Sequence, residues 1–312
     1  MFNWHSYNLK KIPISYIDLE NNYFKLSRNN IAEIRNSIST FGLLTTPVLL
    51  NKQSKYIIVF GHNRINALKD LQNEYTDSII LDDIPSTLYI KNVMLKIFRN
   101  EIGPIGRVKL YLIMKNYFNY NKEDLLKLAK DINIPEKIAK TEILEKIFSL
   151  PDILKDYIDI KNIGFKTIKN LLTLPDDGIS LLVQWLKIID MRVNIFKIIV
   201  DYTIDIYKRD QTLKKIKDID LDLFHDKKEK ENFLYNQIKT IRFPQFIELR
   251  NKAGIIIKKL NKSGIEVDFP EYFEGNEIYI KYKIKKNEGI DSLRKRINEV
   301  DTTALENLLK LV

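Results

Sequence analysis

Two glycine turns in the first quarter of the chain carry residue types that bind phosphate. Gly42-Leu-Leu-Thr-Thr-Pro47 is followed fourteen residues later by Gly61-His-Asn-Arg64. Glycine lets the backbone approach an anion closely, and a helix that begins at the second turn would add free N–H groups and a favourable dipole. The Arg64 guanidinium can form a bidentate contact with phosphate oxygens. The order of the two turns therefore predicts a phosphate-binding site.

The segments around these turns predict a small sheet with helices. The predicted strands are Ile12–Ile17, Val48–Leu50 and Tyr56–Phe60. Apolar residues at helical spacing predict a helix that is capped by Asn30 and ends at Gly42, and a second helix over Asn63–Leu71. His62 lies inside the second turn, where it is a candidate for donating to a phosphate or acting as an acid, and a purely structural histidine is the alternative.

This arrangement resembles the N-terminal domain of the ParB and sulfiredoxin superfamily over residues 11–105. In that family a helix, a G-L-x-Q-P turn and a G-E-R-R turn follow in this order, and in ParB proteins they wrap the base and triphosphate of CTP. The resemblance implies that this chain binds CTP or another nucleoside triphosphate, with Mg²⁺. The implied nucleotide-binding residues are Gly42, Thr45, Thr46, Pro47, Gly61, His62, Asn63, Arg64 and Arg99.

A third family element departs from its pattern. ParB proteins carry E-N-x-x-R shortly before a P-I-E helix start, and here Leu95-Lys-Ile-Phe-Arg99 stands five residues before Pro104. Arg99 is retained, but Leu95 and Lys96 replace the Glu and Asn that help the family hold the triphosphate and its magnesium. A lysine can neutralise phosphate but cannot ligate a cation. We therefore expect at most a weak CTPase, and we assign no catalytic residue and no protein metal ligand. The alternative, which stays open, is that Asn100 and Glu101 replace the family's Asn and Glu through a register change of several residues.

The middle of the chain resembles the helix-turn-helix domain of ParB proteins. Helices are predicted over Lys122–Lys130 and over Pro135–Phe148, with an intervening turn. The implied DNA-binding residues are Lys137, Lys140, Thr141, Lys166 and Lys169. Glu142 and Glu145 are expected on the outward face, which favours contacts with the DNA backbone from the flanking lysines rather than base reading. The alternative is an all-helical bundle that does not bind DNA.

The predicted fold class is mainly α with three folded parts. Residues 1–103 are expected to form a small α/β ParB/sulfiredoxin-like domain and residues 104–186 a helix-turn-helix domain. Residues 187–240 are a predicted helical connector. Residues 241–312 are a predicted α+β association unit with a helix from Pro244, strands over Ile265–Phe269 and Glu277–Ile284, and two final helices.

The composition of the chain limits the classes of partner that it is expected to bind. The chain has 312 residues, no cysteine and a net charge of +10, which favours a polyanionic partner, although an AT-biased genome would also raise the lysine content. The three histidines have no metal-ligand spacing. No apolar run is long enough to span a bilayer, and the start of the chain lacks signal-peptide features, so we expect a cytoplasmic protein without membrane contact, associated with the nucleoid if it binds DNA.

The leading functional prediction is a ParB-like, nucleotide-gated protein that binds double-stranded DNA in plasmid or chromosome partition. The resemblance also implies a homodimer and a ParA-type ATPase partner. Two alternatives stay open. One is a nuclease or nucleotide-dependent kinase of the same superfamily, and the other is a transcriptional or phage regulator whose nucleotide site is vestigial.

Overall fold

The computed structural model describes residues 9–26, 31–262, 265–270, 273, 277–282 and 289–311. Internal contacts divide the chain into two compact units. The first contains the residues up to Leu213 together with Leu221–Asn232, and the second contains Lys214–Asp220 together with the residues from Phe233 onward. Among the described helices, none combines the length and the apolar content that crossing a bilayer requires.

The first unit begins with a five-stranded mixed sheet. Its strands are β1 (Leu9–Pro13), β2 (Ile17–Asp18), β3 (Val48–Lys52), β4 (Lys55–Phe60) and β5 (Tyr75–Leu81), in the order β1-β5-β3-β4-β2. The β3 and β4 strands form an antiparallel hairpin, and β5 runs parallel to β3 and antiparallel to β1. The predicted entry strand is interrupted, because residues Ile14–Tyr16 form a 3₁₀ turn after Pro13.

Three helices accompany this sheet. They are α1 (Ile31–Phe41), α2 (His62–Asp70) and α3 (Ser86–Phe98). The core between sheet and helices is aliphatic, and Leu49, Ile58 and Ile65 are at most 1% exposed. The predicted cap Asn30 lies outside the described residues. The predicted fold class, mainly helical with a small α/β domain at the N-terminus, is confirmed.

The rest of the first unit is helical. Its helices are α4 (Pro104–Asn116), α5 (Lys122–Asp131), α6 (Thr141–Phe148), α7 (Asp152–Ile160), α8 (Phe165–Leu171), α9 (Asp176–Ile188) and α10 (Val193–Asp210). Asn121 caps α5 as predicted, since its side chain accepts a hydrogen bond from the Asp124 N–H at 2.9 Å. The chain continues through α11 (Lys214–Lys217) and α12 (Lys227–Arg242).

The prediction that a helix begins at Pro135 was wrong, because α6 begins at Thr141. The N–H groups of Ile138 and Ala139 both donate to the Pro135 carbonyl, at 2.8 and 3.0 Å, which closes a separate turn. This turn buries Ile138 and Ala139, and Lys140 then adopts an extended conformation before α6. The chain therefore forms a turn that buries two apolar side chains, at the place where the proline had suggested the first turn of a helix.

The start of α4 packs closely against earlier and later parts of the first unit. A Cβ atom on Gly106 would lie 2.5 Å from the Leu26 carbonyl oxygen, so only glycine fits there. The Ile105 N–H donates to Asp159 Oδ1 on α7 at 2.7 Å. Lys109 Nζ donates to the carbonyl oxygens of Asn22 and Lys25, at 2.5 and 3.0 Å. We call residues 21–26 the strap, and Lys109 ties this strap to α4.

The second unit is a small α+β structure. It contains α13 (Pro244–Lys262), an antiparallel pair of β6 (Ile265–Asp268) and β7 (Tyr279–Tyr282), α14 (Ile290–Asn298) and α15 (Thr302–Leu309). Its core includes Ala253, Leu260, Ala304 and Leu308. Asp301 caps α15 and also pairs with Lys259 Nζ at 2.5 Å. The last two residues of the predicted strand Glu277–Ile284 lie outside the described residues.

Candidate functional site

The second glycine turn is confirmed by the backbone. Gly61 precedes α2 with φ 101° and ψ 20°, in the left-handed region that side-chain-bearing residues rarely adopt. A Cβ atom there would lie 3.1 Å from Pro47 Cα, a tight contact that Pro47 would have to relieve by shifting a few tenths of an ångström. Gly42 has φ 73° and ends α1, where its N–H donates to the Ile38 carbonyl at 2.9 Å. Each predicted turn therefore depends on its glycine.

A cavity of about 550 Å³ opens beside the Gly61 turn. Its polar lining comes from His62, Asn63, Arg64, Lys96, Asn100 and Glu101. Part of its apolar wall comes from Phe24 on the strap and Phe60 at the end of β4. The cavity therefore combines a helix N-terminus, cationic side chains and an aromatic wall, a set of groups that suits an anion attached to an apolar or aromatic body.

The cavity collects only part of the predicted site. Four of the nine predicted nucleotide residues line it, namely Gly61, His62, Asn63 and Arg64. Gly42, Thr45, Thr46, Pro47 and Arg99 are not among its described lining residues. Gly42 instead borders a separate depression together with Ile38 and Leu68. The Arg99 side chain is 73% exposed, and its Nη1 atom lies 4.0 Å from Glu101 Oε1.

Three polar lining residues are not among the predicted nucleotide-binding residues: Lys96, Asn100 and Glu101. The α3 helix ends at Phe98, and Asn100 then adopts a left-handed conformation with φ 56°. This reversal lets the Glu101 N–H donate to the Lys96 carbonyl at 2.9 Å, which brings both side chains to the same cavity. The sequence signal for this reversal is an Asn one residue beyond the C-cap Arg99, because Asn tolerates the left-handed region.

The charges of the cavity are unbalanced toward positive. Burial lowers the pKa of Lys96, the nearby Arg64 lowers it further, and Glu101 acts in the opposite direction. Burial also lowers the pKa of Arg64, again opposed by Glu101. Two cationic side chains thus share one carboxylate. An anionic ligand would relieve the repulsion between them.

His62 is held neutral inside this site. It is 6% exposed, and burial together with the charges of Lys25, Lys109 and Lys96 lowers its pKa to about 3. A hydrogen bond to the Asn21 backbone raises the pKa, so the ring donates that bond to the Asn21 carbonyl. Nε2 has no hydrogen-bond partner within the described structure. His62 is therefore a neutral ring whose Nε2 is a buried acceptor without a described partner, which agrees with the purely structural alternative.

Acid should destabilise the protein through His62. An unfolded chain protonates this histidine below about pH 6.5, whereas folded His62 stays neutral to about pH 3. The unfolded state therefore binds more protons in this window, and stability falls as the pH decreases, by about 2 kcal/mol at about pH 5. Denaturant unfolding at neutral pH and at about pH 5 measures this loss. His62→Asn should remove most of it and the exposed control His225→Asn should not; an equal loss in parent and His62→Asn would contradict the assignment.

The predicted DNA-binding lysines all lie on the surface. Lys137, Lys140, Lys166 and Lys169 are exposed, the first two around the turn before α6 and the last two on α8. Thr141 is half-buried at the start of α6, where it bonds the Tyr111 side chain. The two acidic residues Glu142 and Glu145 are exposed on α6, as the sequence predicted. The surface therefore offers separated cations beside an acidic helix face.

Comparisons with known proteins give a family for the first part of the chain. A family model described as the ParB N-terminal domain matches residues 3–94. No curated protein matches the chain significantly. Similar solved structures include two crystal structures of the C-terminally truncated chromosome-partitioning protein ParB from Caulobacter crescentus. The first, complexed to the centromeric parS site, is 14% identical with a TM-score of 0.26, and the similarity covers 62% of this chain and 97% of that chain. The second, complexed with CTP-gamma-S, is 14% identical with a TM-score of 0.24, covering 66% of this chain and 99% of that one.

The matched residues include the whole five-stranded sheet and both predicted glycine turns. They also include the cavity residues from Phe24 to Val93, whereas Lys96, Asn100 and Glu101 lie just beyond the match. The resemblance noted from the glycine turns is thus confirmed for residues 3–94, the segment that matches the ParB N-terminal domain model.

Proposed function

We propose that this protein is a ParB-like DNA-binding protein of plasmid or chromosome partition whose N-terminal cavity binds a nucleoside triphosphate, with CTP as the first candidate. The observation that carries the proposal is the cavity at the Gly61 turn. There a helix N-terminus, Arg64 and Lys96 converge within and directly after a segment of the ParB N-terminal domain family. This combination suits a phosphate chain.

The proposed pose follows from the chemistry of the lining. The phosphates lie at the Gly61 turn, where Arg64 and Lys96 contact their oxygens. His62 lines the cavity as a neutral side chain. The remaining predicted residues, Gly42, Thr45, Thr46, Pro47 and Arg99, are proposed as outer contacts of a ligand that extends beyond the described cavity. Asn63 follows His62 in this turn and also lines the cavity.

Occupancy of the cavity is proposed to gate how the protein holds DNA. Phe24 on the strap forms part of the cavity wall, and Lys109 of α4 holds the strap. A ligand that favours one position of the strap therefore also favours one position of α4. We propose a homodimer, associated through residues 241–312, in which the nucleotide selects the arrangement of two N-terminal domains. A ParA-type ATPase is the proposed partner.

Calorimetry and DNA titration of the full chain test this function together. CTP should bind, and it should change the affinity for a duplex DNA probe, because the two sites are proposed to be coupled. Binding of CTP without any effect on DNA affinity would overturn the gating. No binding of any nucleoside triphosphate would overturn the nucleotide site and favour a DNA-binding regulator with a vestigial cavity, an alternative suggested by the replacement of the family's Glu and Asn by Leu95 and Lys96.

DNA binding should depend steeply on salt. Each phosphate neutralised by a lysine contributes roughly 0.9 to the slope of log affinity against log salt. The full-length variant Lys137→Ala, Lys140→Ala, Lys166→Ala should therefore bind more weakly and lose about 2.7 of that slope. The control variant Lys52→Ala, Lys55→Ala, Lys69→Ala removes the same charge from the sheet domain and should keep the slope. If both variants behave alike, the surface at Lys137, Lys140 and Lys166 is not the DNA-binding surface.

Hydrolysis of the bound nucleotide should be absent or very slow. The positions where the family helps to place its metal carry Leu95 and Lys96, so transition-state charge on the phosphoryl group is poorly stabilised. A phosphate-release assay with CTP should give the rate of the no-protein control. Release that clearly exceeds the control, and that Arg64→Ala abolishes, would show that the protein is a CTPase after all.

A further inference from the structure

We infer that the cavity binds the triphosphate without a divalent cation, and that the Lys96 ammonium group supplies the positive charge that Mg²⁺ would otherwise bring. This inference rests on the proposed nucleotide site and specifies how that site neutralises its ligand. It differs from the Mg²⁺-dependent binding that the family resemblance implies. Three features of the cavity support it: its oxygen donors, the position of Lys96 and the balance of charge.

The one carboxylate of the cavity is already engaged by cationic side chains. In nucleotide sites Mg²⁺ is held by one or two carboxylates together with phosphate oxygens and water. Glu101 is the only carboxylate among the described lining residues, and the other side-chain oxygens there belong to the amides Asn63 and Asn100. Glu101 also balances Arg64 and Lys96 and lies 4.0 Å from Arg99. No group of three or more His, Cys, Asp and Glu side chains in the described part of the chain could hold a metal.

The Lys96 ammonium group lies close to the Gly61 turn, which is proposed to bind the phosphates. Its Nζ atom lies 5.2 Å from the centroid of the Phe60 ring, and Phe60 directly precedes the Gly61 turn. The Phe60 ring stacks on Tyr89 at 5.5 Å and 20°, and Tyr89 is fully buried. A cation over an aromatic face is held by the ring quadrupole, and a packed ring makes a fixed platform. The ammonium group is therefore positioned beside the phosphate turn before a ligand arrives.

The two cations of the cavity disfavour a further cation close to them. Arg64 and Lys96 together bring two positive charges against the single negative charge of Glu101. A magnesium ion on the phosphates would stand close to the Lys96 ammonium group, and two like charges a few ångströms apart repel one another. A free triphosphate would instead be attracted by both side chains. The affinity for CTP should consequently be equal or higher when magnesium is removed.

Calorimetric titration of the full chain with CTP, once in excess MgCl₂ and once in EDTA, tests this inference. We expect the affinity in EDTA to equal the affinity in magnesium within about threefold, or to exceed it. Inorganic triphosphate should compete with CTP in EDTA as well, because Lys96 acts on the phosphates. CTP binding that requires magnesium would overturn the inference and leave the proposed nucleotide site standing. Absence of CTP binding under both conditions would overturn the nucleotide site itself.

Two variants separate the role of Lys96 from a general effect of charge. Lys96→Asn should weaken CTP binding in EDTA by roughly 10- to 150-fold, the loss expected when a charge-assisted bond to phosphate is removed. Lys69→Asn removes the same charge from the exposed end of α2 and should leave the affinity unchanged. Unchanged affinity of Lys96→Asn in EDTA would also overturn the inference. The magnesium dependence of the parent protein needs no variant, so the test does not depend on the stability of Lys96→Asn.

Discussion

Replacing Arg64 by alanine is expected to weaken CTP binding by roughly 10- to 150-fold, which corresponds to about 1.5–3 kcal/mol. The guanidinium group lines the cavity next to the α2 N-terminus, and in the proposed pose it is the group able to make a bidentate contact with phosphate. Its removal would also leave Glu101 with one cationic neighbour fewer inside the cavity. Isothermal titration of the full chain with CTP measures the change.

Arg35→Ala is the matched control for this experiment. Arg35 lies on α1, is exposed and does not line the cavity, so its removal changes the net charge equally without touching the site. Its CTP affinity should match that of the parent protein. Thermal unfolding of both variants establishes that they are folded under the conditions of the titration. Equal affinities of Arg64→Ala and the parent would contradict the assignment of Arg64 to the phosphates.

Replacing Gly106 by alanine should destabilise the first unit by roughly 1–3 kcal/mol, the usual cost of overpacking a well-packed region. The added methyl group would lie 2.5 Å from the Leu26 carbonyl oxygen and 2.7 Å from Ile102 Cγ2. The first of these atoms belongs to the backbone, so the conflict is resolved only by moving the strap away from α4. Denaturant unfolding gives the change in free energy.

Gly164→Ala provides the control for Gly106→Ala. Gly164 precedes α8 with φ −67° and ψ 150°, a conformation open to any residue, and a Cβ atom there meets no described atom within 4 Å. Gly164 is the N-cap of α8 and alanine is a poorer N-cap than glycine, so stability should fall by roughly 0.5 kcal/mol, less than for Gly106→Ala. A Gly106→Ala variant as stable as Gly164→Ala would mean that α4 and the strap do not pack as closely as described.

The sequence predicted those features that depend on local signals. The two glycine turns depend on backbone conformation, which glycine alone adopts easily, and both are present at Gly42 and Gly61. The cap at Asn121 follows from a side chain that bonds a nearby N–H, and it is also present. The start of α6 was misplaced because a proline at position 135 suits a turn as well as a helix start, and tertiary burial of Ile138 and Ala139 decides between them.

The composition of the cavity could be predicted only in part. Gly61 to Arg64 are consecutive, so one local motif brings them to the cavity together. Lys96, Asn100 and Glu101 reach it through the reversal after α3, and the position of that reversal relative to β4 depends on the packing of Phe60 against Tyr89. Tertiary packing also decides the place of Gly42, which was predicted to share a site with Gly61 but borders a different depression. The positions of the two turns relative to one another depend on the order of the strands in the sheet. In this order β5 lies between β1 and β3, and the sequence predicted no strand over Tyr75–Leu81.

The hydrogen bonds from Lys109 to the strap determine which positions can be substituted without loss of this contact. Lys109 donates to carbonyl oxygens of the backbone, and every amino acid presents such an oxygen, so substitutions at Asn22 and Lys25 leave both acceptors in place. Burial, and then the charge of Lys25, lowers the pKa of Lys109 to about 8, so a neutral residue at position 25 would even favour the protonated donor. Position 109 has no such freedom, because it must supply a long cationic side chain. Orthologous sequences can therefore diverge at positions 22 and 25 while the strap stays bonded to α4, whereas a residue at position 109 without a long cationic side chain would remove both bonds in a single mutational step.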